Sequence, residues 1–242
     1  MRAILVRVGV DQAYGGWNAP VELKTGQFVL VPIPDSDKKA YPPGSARNYD
    51  EILTPLADFA LAHSVSNLHL PDTLLGRKMH LDPDFDHLTY GDNGTRRGAG
   101  IATLTFGDML VFYAGLRSIA PPHQLVYALV GLFVVKEIVY ASDVPLDRRH
   151  ENAHTRWMPI SEKDVIVRGM PGASGRFERC IPIGEWREKA YRVRRDTEEA
   201  WGGLNVKNGY IQRSAVPPEF NDAAIFASWL RQSEISLIER NN

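Results

Sequence analysis

Two apolar stretches near the middle of the chain constrain its fold most strongly. The first runs from Gly107 to Tyr113 and begins with a Gly-Asp pair, and the second runs from Leu125 to Val135 after Pro121-Pro122. Gly-Asp and Pro-Pro pairs favour turns, and an apolar run bounded by turns is typical of a buried strand. The second run is too long for one flat strand, so we expect it to bend at Gly131. Such curved strands indicate a small β-barrel.

The rest of the chain mixes helices and strands without the regular alternation that a doubly wound parallel sheet requires. We therefore predict an α+β fold in one domain over residues 1–242, built on a curved, mostly antiparallel β-barrel with flanking helices and long loops. An irregular excursion over 64–102 could cover a cleft. Periodicity predicts strands over 2–10, 28–33, 109–114, 125–140, 164–168, 176–183 and 210–216, and helices over 50–63, 185–200 and 222–239.

Charge and cysteine content limit the classes of function. The 242 residues carry a formal net charge of −1, so general basicity does not indicate a nucleic-acid partner. Residues 145–195, however, hold 12 Lys and Arg against 7 Asp and Glu, which could form one positive face. The single cysteine, Cys180, allows neither an internal disulfide nor a cysteine-based zinc site. The N-terminal apolar run is too short for a signal peptide, and we expect a cytoplasmic protein without a membrane span.

The segment from His150 to His154 matches the pattern His-Glu-x-x-His. On a helix, residues four apart share a face, so both imidazoles could hold zinc with Glu151 as the general base. Two arginines precede the segment and would repel a divalent cation, so the main interpretation assigns no metal ligands. It gives His150, Glu151 and His154 the role of proton transfer, if the protein catalyses a reaction.

Arginines in two segments are candidates for contacts with phosphate. Arg148, Arg149 and Arg156 lie around the His-Glu-x-x-His pattern, and guanidinium groups bind phosphate oxygens well. Arg96 and Arg97 end the glycine-spaced loop that starts at Tyr90, whose backbone amides could form an anion nest. The alternative explanation is a polar loop with local hydrogen bonds for residues 148–156 and a tight surface turn for residues 90–98.

Aromatic and polar side chains at strand ends are candidates for a ligand pocket. An aromatic face can stack on an unstacked base while amide and carboxylate groups recognise its edge. The candidate set comprises Asp11, Tyr14, Trp17, Asn18, Tyr90 and Asp92. A further segment, His80 to His87, contains Asp82, Asp84, Asp86 and His87, which could bind a hard cation or supply a base. That segment lacks the glycine and terminal Glu of an EF-hand, and a solvated acidic loop is the favoured explanation.

Several of these segments together resemble the third family of nucleotide-modification-associated domains. The resemblance covers nearly the whole chain and rests on residues 3–11, 14–18, 88–92, 107–117, 150–154, 181–187 and 210–214. It implies a bacterial or phage protein that takes part in DNA base hypermodification. Residues 107–139 also resemble the PUA-like superfamily, including EVE domains, and this implies a PUA-like barrel with an aromatic pocket for a modified base.

These observations lead to one main interpretation and two alternatives. The main one is a nucleic-acid-directed protein of DNA base modification that holds a modified or extruded base in the aromatic and polar pocket. Its partners would be DNA or a nucleotide, and other base-modification enzymes; the sequence names no cofactor. The first alternative is a metal-dependent hydrolase or nuclease that uses the His-Glu-x-x-His segment, with aspartates from residues 82–92. The second is a non-catalytic reader or accessory subunit.

Overall fold

The computed structural model describes residues 1–11, 16–95, 98–212 and 216–242. The chain forms an α+β fold that consists mostly of sheet. Its strands are β1 (Ala3–Arg7), β2 (Pro20–Val21), β3 (Ile33–Pro34), β4 (Met79–His80), β5 (Thr89–Asp92), β6 (Met109–Ser118), β7 (Leu125–Tyr140), β8 (Val165–Gly169), β9 (Gly175–Pro182), β10 (Gly184–Arg187), β11 (Ala190–Val193) and β12 (Leu237–Ile238). Its α-helices are α1 (Asp50–Ala62), α2 (Arg195–Ala200) and α3 (Ala223–Gln232).

The main sheet has eight strands and follows the order β1-β6-β7-β8-β5, with β2 paired to β6, β9 to β7 and β12 to β9. Strands β1 and β2 run parallel to β6, and the other pairs are antiparallel. Within the described ranges these pairings do not close into a ring. The mixed α+β class predicted from the sequence is thus observed, whereas the PUA-like barrel is not confirmed.

The Gly107-Asp108 turn and the two long strands form where the sequence predicts them. Gly107 has a φ of +83°, a conformation that glycine adopts without steric cost, and β6 starts two residues later. Strand β7 continues through Gly131 as one 16-residue strand. It contains a bulge there, because Phe112 pairs with Gly131 while Tyr113 pairs with Leu129. A Cβ on Gly131 would lie 2.7 Å from the Phe85 ring.

The main sheet buries apolar side chains on both faces. Along β1, Ile4 and Val6 belong to one core cluster, whereas Ala3 and Leu5 belong to another. This alternation follows from the strand geometry, in which successive side chains point to opposite faces. The first cluster includes Phe85, Phe112 and Phe133 and is covered by α1 through Ile52, Leu56 and Phe59. The second includes Tyr113, Phe177, Trp201 and Phe226, and α3 contributes to it.

Two helix predictions near the C-terminus are corrected by the structure. Residues 185–193 form the β10–β11 hairpin, and only Arg195–Ala200 is helical. Glu188 and Lys189 both have positive φ, as a two-residue hairpin turn requires, and the Trp186 and Tyr191 rings pack across the strands 5.1 Å apart. Helix α3 starts at its Asp222 cap but ends at Gln232, since residues 237–238 pair with β9 instead.

None of the helices in the described ranges is both long and apolar enough to cross a membrane.

Candidate functional site

An open cleft of about 270 Å³ lies where the end of β1 meets β4 and β5. We call it the His–Asp cleft, because two histidines and two aspartates are among the residues that line it. Its walls are Arg7, Val8, Gly9, Ile33, His80, Asp82, Tyr90, Gly91, Asp92, Asn93 and His154.

His80 and Asp82 are brought into the cleft by a short extended segment. His80 ends β4, which pairs with β3 so that His80 lies opposite Ile33. Leu81, between them, is buried in the first core cluster. In extended backbone, residues two apart point to the same side, so burial of Leu81 directs His80 and Asp82 together toward the cleft.

His154 is fixed from three directions. Its Nδ1 lies 2.5 Å from Asp164 Oδ2, and its backbone amide donates to Asn152 Oδ1 at 2.8 Å. Its ring also lies against the backbone of Gly91, where an added Cβ would overlap the imidazole. The His154 side chain is only 14% exposed. Its Nε2 therefore has a defined position, 3.6 Å from Asp82 Oδ2.

Asp82 lies between the two imidazoles. Its Oδ2 is 3.8 Å from His80 Nε2, and the two rings stand edge to face with centroids 5.0 Å apart. The Gly91 amide donates to both carboxylate oxygens, at 3.0 and 2.9 Å, and the Asn152 side-chain amide donates to Oδ1 at 3.4 Å. Asn152 thereby connects Asp82 to His154, because its own Oδ1 accepts from the His154 amide.

Burial and neighbouring charges move the pKa values of these groups in different directions. Burial raises the pKa of Asp82 to about 7, although His154 and the Gly91 amide oppose the rise. Burial also lowers the pKa of His80 to about 4. For His154, burial acts downward, but the hydrogen bond to Asp164 and the charge of Asp82 raise its pKa above the ordinary value. Strongly shifted groups that share a cleft are a recognised feature of functional sites.

A second buried network lies beside the cleft and contains its own cation. Asp84 is fully buried and accepts from Arg156, which is itself buried, while His87 Nδ1 lies 3.1 Å away. The His87 ring packs edge to face on His150 at 5.2 Å, and the Arg156 Nε donates to the His150 carbonyl. Asn241 also donates to Asp84, at 3.1 Å, so this network attaches the C-terminal residues to the core.

The three residues of the predicted catalytic segment do not come together in the structure. A 3₁₀ helix covers Leu146–Glu151 and ends there, because Asn152 is extended. His150 and His154 therefore do not share a helix face, as zinc binding by His-Glu-x-x-His would require. Only His154 lines the cleft; His150 packs on His87, and Glu151 accepts from Arg148 at 2.7 and 3.0 Å.

The predicted ligand-binding residues are also divided. Tyr90 and Asp92 line the cleft, and Asp11 adjoins it through its ion pair with the lining residue Arg7, 2.6 Å apart. Trp17 packs against the first core cluster, and the buried Asn18 donates to the Gly115 carbonyl at 2.8 Å; neither is part of the cleft lining. Tyr14 lies outside the described residues.

The predicted phosphate contacts differ in accessibility. Arg148 is exposed and paired with Glu151, and Arg149 donates to the Val144 carbonyl at 3.3 Å. Arg156 is buried with Asp84, so its guanidinium group has a partner inside the protein. Arg96 and Arg97 lie outside the described residues.

The main interpretation of the sequence did not place His80, Asp82, Asp35 or Asp164 in the site, and Asp82 was considered only as a possible cation ligand or base. The His-x-Asp spacing around a buried Leu81 is a usable signal, because it places two polar groups on one side of an extended segment. Asp35 lies 3.6 Å from His80 Nδ1, and Asp164 bonds to His154. Neither aspartate has a local sequence signal, since each meets its histidine only in the folded chain.

Comparison with known proteins assigns the chain to a family. No curated protein and no solved structure matches it. The family model described as nucleotide modification associated domain 3 matches residues 2–197, which include every lining residue of the His–Asp cleft. This chain belongs to the nucleotide modification associated domain 3 family.

Proposed function

We propose that the protein is a DNA base-modification enzyme that takes a base or nucleotide of a nucleic acid into the His–Asp cleft. The observation that carries the proposal is the convergence of His80, Asp82 and His154 at the cleft, in a chain whose family is associated with nucleotide modification.

The volume and lining of the cleft suit a single base. Pockets for drug-sized ligands measure about 300–1,000 Å³. The cleft volume of about 270 Å³ lies just below that range. It is adequate for one base or nucleoside, which is smaller than such a ligand, and too small for a segment of duplex. Enzymes that act on a base in a duplex extrude it into such a pocket. Tyr90 offers an aromatic wall, and Gly9 and Gly91 allow close approach of a ligand to the backbone.

The buried polar groups favour an enzyme over a reader. A reader needs a pocket with a few groups that recognise the base edge. Here two imidazoles and Asp82 point at one another within the cleft, and two more carboxylates, Asp35 and Asp164, lie behind the imidazoles. Burying so many ionisable groups costs folding free energy, and sites of chemical reaction are where proteins commonly retain such groups.

A titration with nucleosides, mononucleotides and short single-stranded oligonucleotides tests the proposal. We expect Tyr90→Leu to weaken binding by about tenfold or more, since one base stacked on an aromatic ring contributes about 1–3 kcal/mol. Phe106→Ala is the matched control, because Phe106 is 72% exposed and does not line the cleft. Equal binding by both variants, with both folded by circular dichroism, would contradict the assignment of the cleft. Binding without conversion of DNA or nucleotide under any condition would favour the reader.

A metal-dependent hydrolase or nuclease is the second candidate. The observation in its favour is that His80, Asp82 and His154 could hold a metal ion together. Incubation of plasmid and single-stranded DNA with the protein and Mn²⁺ or Zn²⁺ distinguishes the two. Strand cleavage that disappears in Asp82→Asn would support the hydrolase, whereas an altered nucleoside in intact strands supports base modification.

A further inference from the structure

We propose that His80, Asp82 and His154 bind a divalent transition-metal ion at the His–Asp cleft. One donor atom from each of these residues lies within 4.8 Å of the other two. This inference deepens the proposed function, and its meaning for catalysis rests on that function. Metal binding itself can be measured without any nucleotide.

The arrangement of hydrogen bonds directs lone pairs at a common point. Asp164 lies 2.5 Å from His154 Nδ1, a distance at which the Nδ1–H group donates a hydrogen bond to the carboxylate. In a neutral imidazole this leaves Nε2 with a lone pair, and that atom faces Asp82 Oδ2 at 3.6 Å. His80 repeats the arrangement more loosely: Nδ1 faces Asp35 at 3.6 Å, and Nε2 faces Asp82 at 3.8 Å. A cation placed between these three atoms could accept one lone pair from each.

Carboxylates behind histidines are typical of metal sites. A histidine ligand usually offers its second ring nitrogen to a carboxylate or carbonyl, which fixes the ring and raises its basicity as a ligand. His154 has such a partner in Asp164, at hydrogen-bond distance, and the Nδ1 of His80 faces Asp35 at a longer 3.6 Å. Asn152 further holds Asp82 and His154 in register by bonding to both.

The neighbouring network around Asp84 is a cluster of the same kind in which the buried carboxylate is paired with an arginine. Asp84 also lies among histidines, but the buried Arg156 supplies its positive charge. Within the described part of the chain, the contacts of Asp82 are the Gly91 amide, Asn152 and the two imidazoles. Arg7, which lines the cleft, is already paired with Asp11.

The donor set indicates the class of metal. Two imidazoles and one carboxylate suit Fe²⁺, Zn²⁺ or Mn²⁺, whereas Mg²⁺ and Ca²⁺ prefer oxygen ligands alone. Three protein ligands leave coordination positions free, and all three residues line an open cleft from which a substrate could reach the metal. The same three-residue set occurs in non-haem Fe²⁺ oxygenases and in zinc hydrolases, so the identity of the metal separates these chemistries.

The experiment uses the full chain, stripped with a chelator and then loaded separately with Fe²⁺ under anaerobic conditions, Zn²⁺, Mn²⁺ or Mg²⁺. We expect about one Fe²⁺, Zn²⁺ or Mn²⁺ ion per chain after desalting, measured by elemental mass spectrometry. Asp82→Ala and His154→Ala should abolish this stoichiometry. His150→Ala is the matched control and should retain it, since His150 packs on His87 instead.

Two further measurements guard against loss of folding. Circular dichroism checks the folding of each variant, and Co²⁺ substituted into the wild type should give visible absorption bands from nitrogen and oxygen ligands.

Asp164→Asn should keep the Co²⁺ bands but shift them and weaken metal affinity by about 10–100-fold, because Asp164 positions His154. The inference is overturned if the folded wild type retains no transition metal, binds only Mg²⁺, or loses its metal equally in His150→Ala and His154→Ala. Nucleotide binding that persists without metal would leave the proposed pocket intact.

Discussion

The imidazole of His154 lies directly against the backbone of Gly91, on the strand that forms one wall of the His–Asp cleft. A Cβ at position 91 would overlap that ring and would lie 2.7 Å from Asn152 Oδ1. The absence of a side chain at Gly91 therefore determines how closely His154 approaches Asp82. The glycine at position 91 of β5 is thus a sequence feature on which the geometry of the candidate site depends.

We expect Gly91→Ala to displace His154 and weaken nucleotide and metal binding. Overpacking of this kind costs about 1–3 kcal/mol of folding free energy. Gly100→Ala is the control, since its added Cβ would meet only the Ile4 side chain at 3.5 Å, an ordinary contact, and its φ is −65°. Thermal unfolding and ligand titration of both variants check the prediction. Unchanged ligand affinity in Gly91→Ala would show that the position of His154 is unimportant.

Removal of Arg156 should destabilise the fold severely. Arg156→Met leaves the buried Asp84 carboxylate without its cation, which costs about 3–5 kcal/mol in comparable buried pairs. Adding Asp84→Asn to that variant should recover part of the loss, because the unpaired charge is then absent. Arg148→Met, which breaks an exposed pair with Glu151, should cost about 0–1 kcal/mol. Urea denaturation measures all three, and a similar cost at positions 148 and 156 would refute the structural role of Arg156.

The adjacent residues Arg148, which is exposed, and Arg149, which is half-buried, are the remaining described candidates for phosphate contact. The double variant Arg148→Ala, Arg149→Ala should weaken DNA binding at low salt, and the salt dependence of log K should flatten by about 1–2. Arg194→Ala with Arg195→Ala is the control, as it removes two adjacent exposed arginines at the start of α2. Identical salt slopes for the wild type and the 148/149 variant would exclude this pair from the DNA contact.

The Asp108 carboxylate should make stability depend on pH in the acid range. Burial acts to raise its pKa, but hydrogen bonds from the Thr105 and Arg2 amides and the Thr105 hydroxyl hold it below the ordinary 3.8. A group with a lowered folded-state pKa stabilises the protein above its unfolded-state pKa, and this stabilisation disappears as the pH falls through the folded value. The Asp108→Asn variant should therefore be less stable than the wild type at pH 7. Its free energy of unfolding should change less with pH than that of the wild type below pH 3.8. If the free energies of unfolding of the wild type and the variant changed in parallel with pH, this prediction would be contradicted.

The sequence predicts local features of this fold better than it predicts the site. The Gly107-Asp108 turn, strands β6 and β7, and helix α1 were predictable because their turn residues and apolar periodicity lie within one segment. The β10–β11 hairpin was not, since good helix-forming residues were overridden by packing of Trp186 on Tyr191. His154 was identified through a helical motif that does not form. Its neighbour Asp82 comes from a distant segment, and Asp164, although only 10 residues further along the chain, is brought to it by the fold of the intervening loop.

A crystal structure of the full chain with a bound mononucleotide would test the central claim most directly. We predict density for the base inside the His–Asp cleft, against Tyr90 and within reach of His80, Asp82 and His154. A nucleotide bound elsewhere, with those three side chains remote from it, would contradict the assignment of this cleft as the functional site.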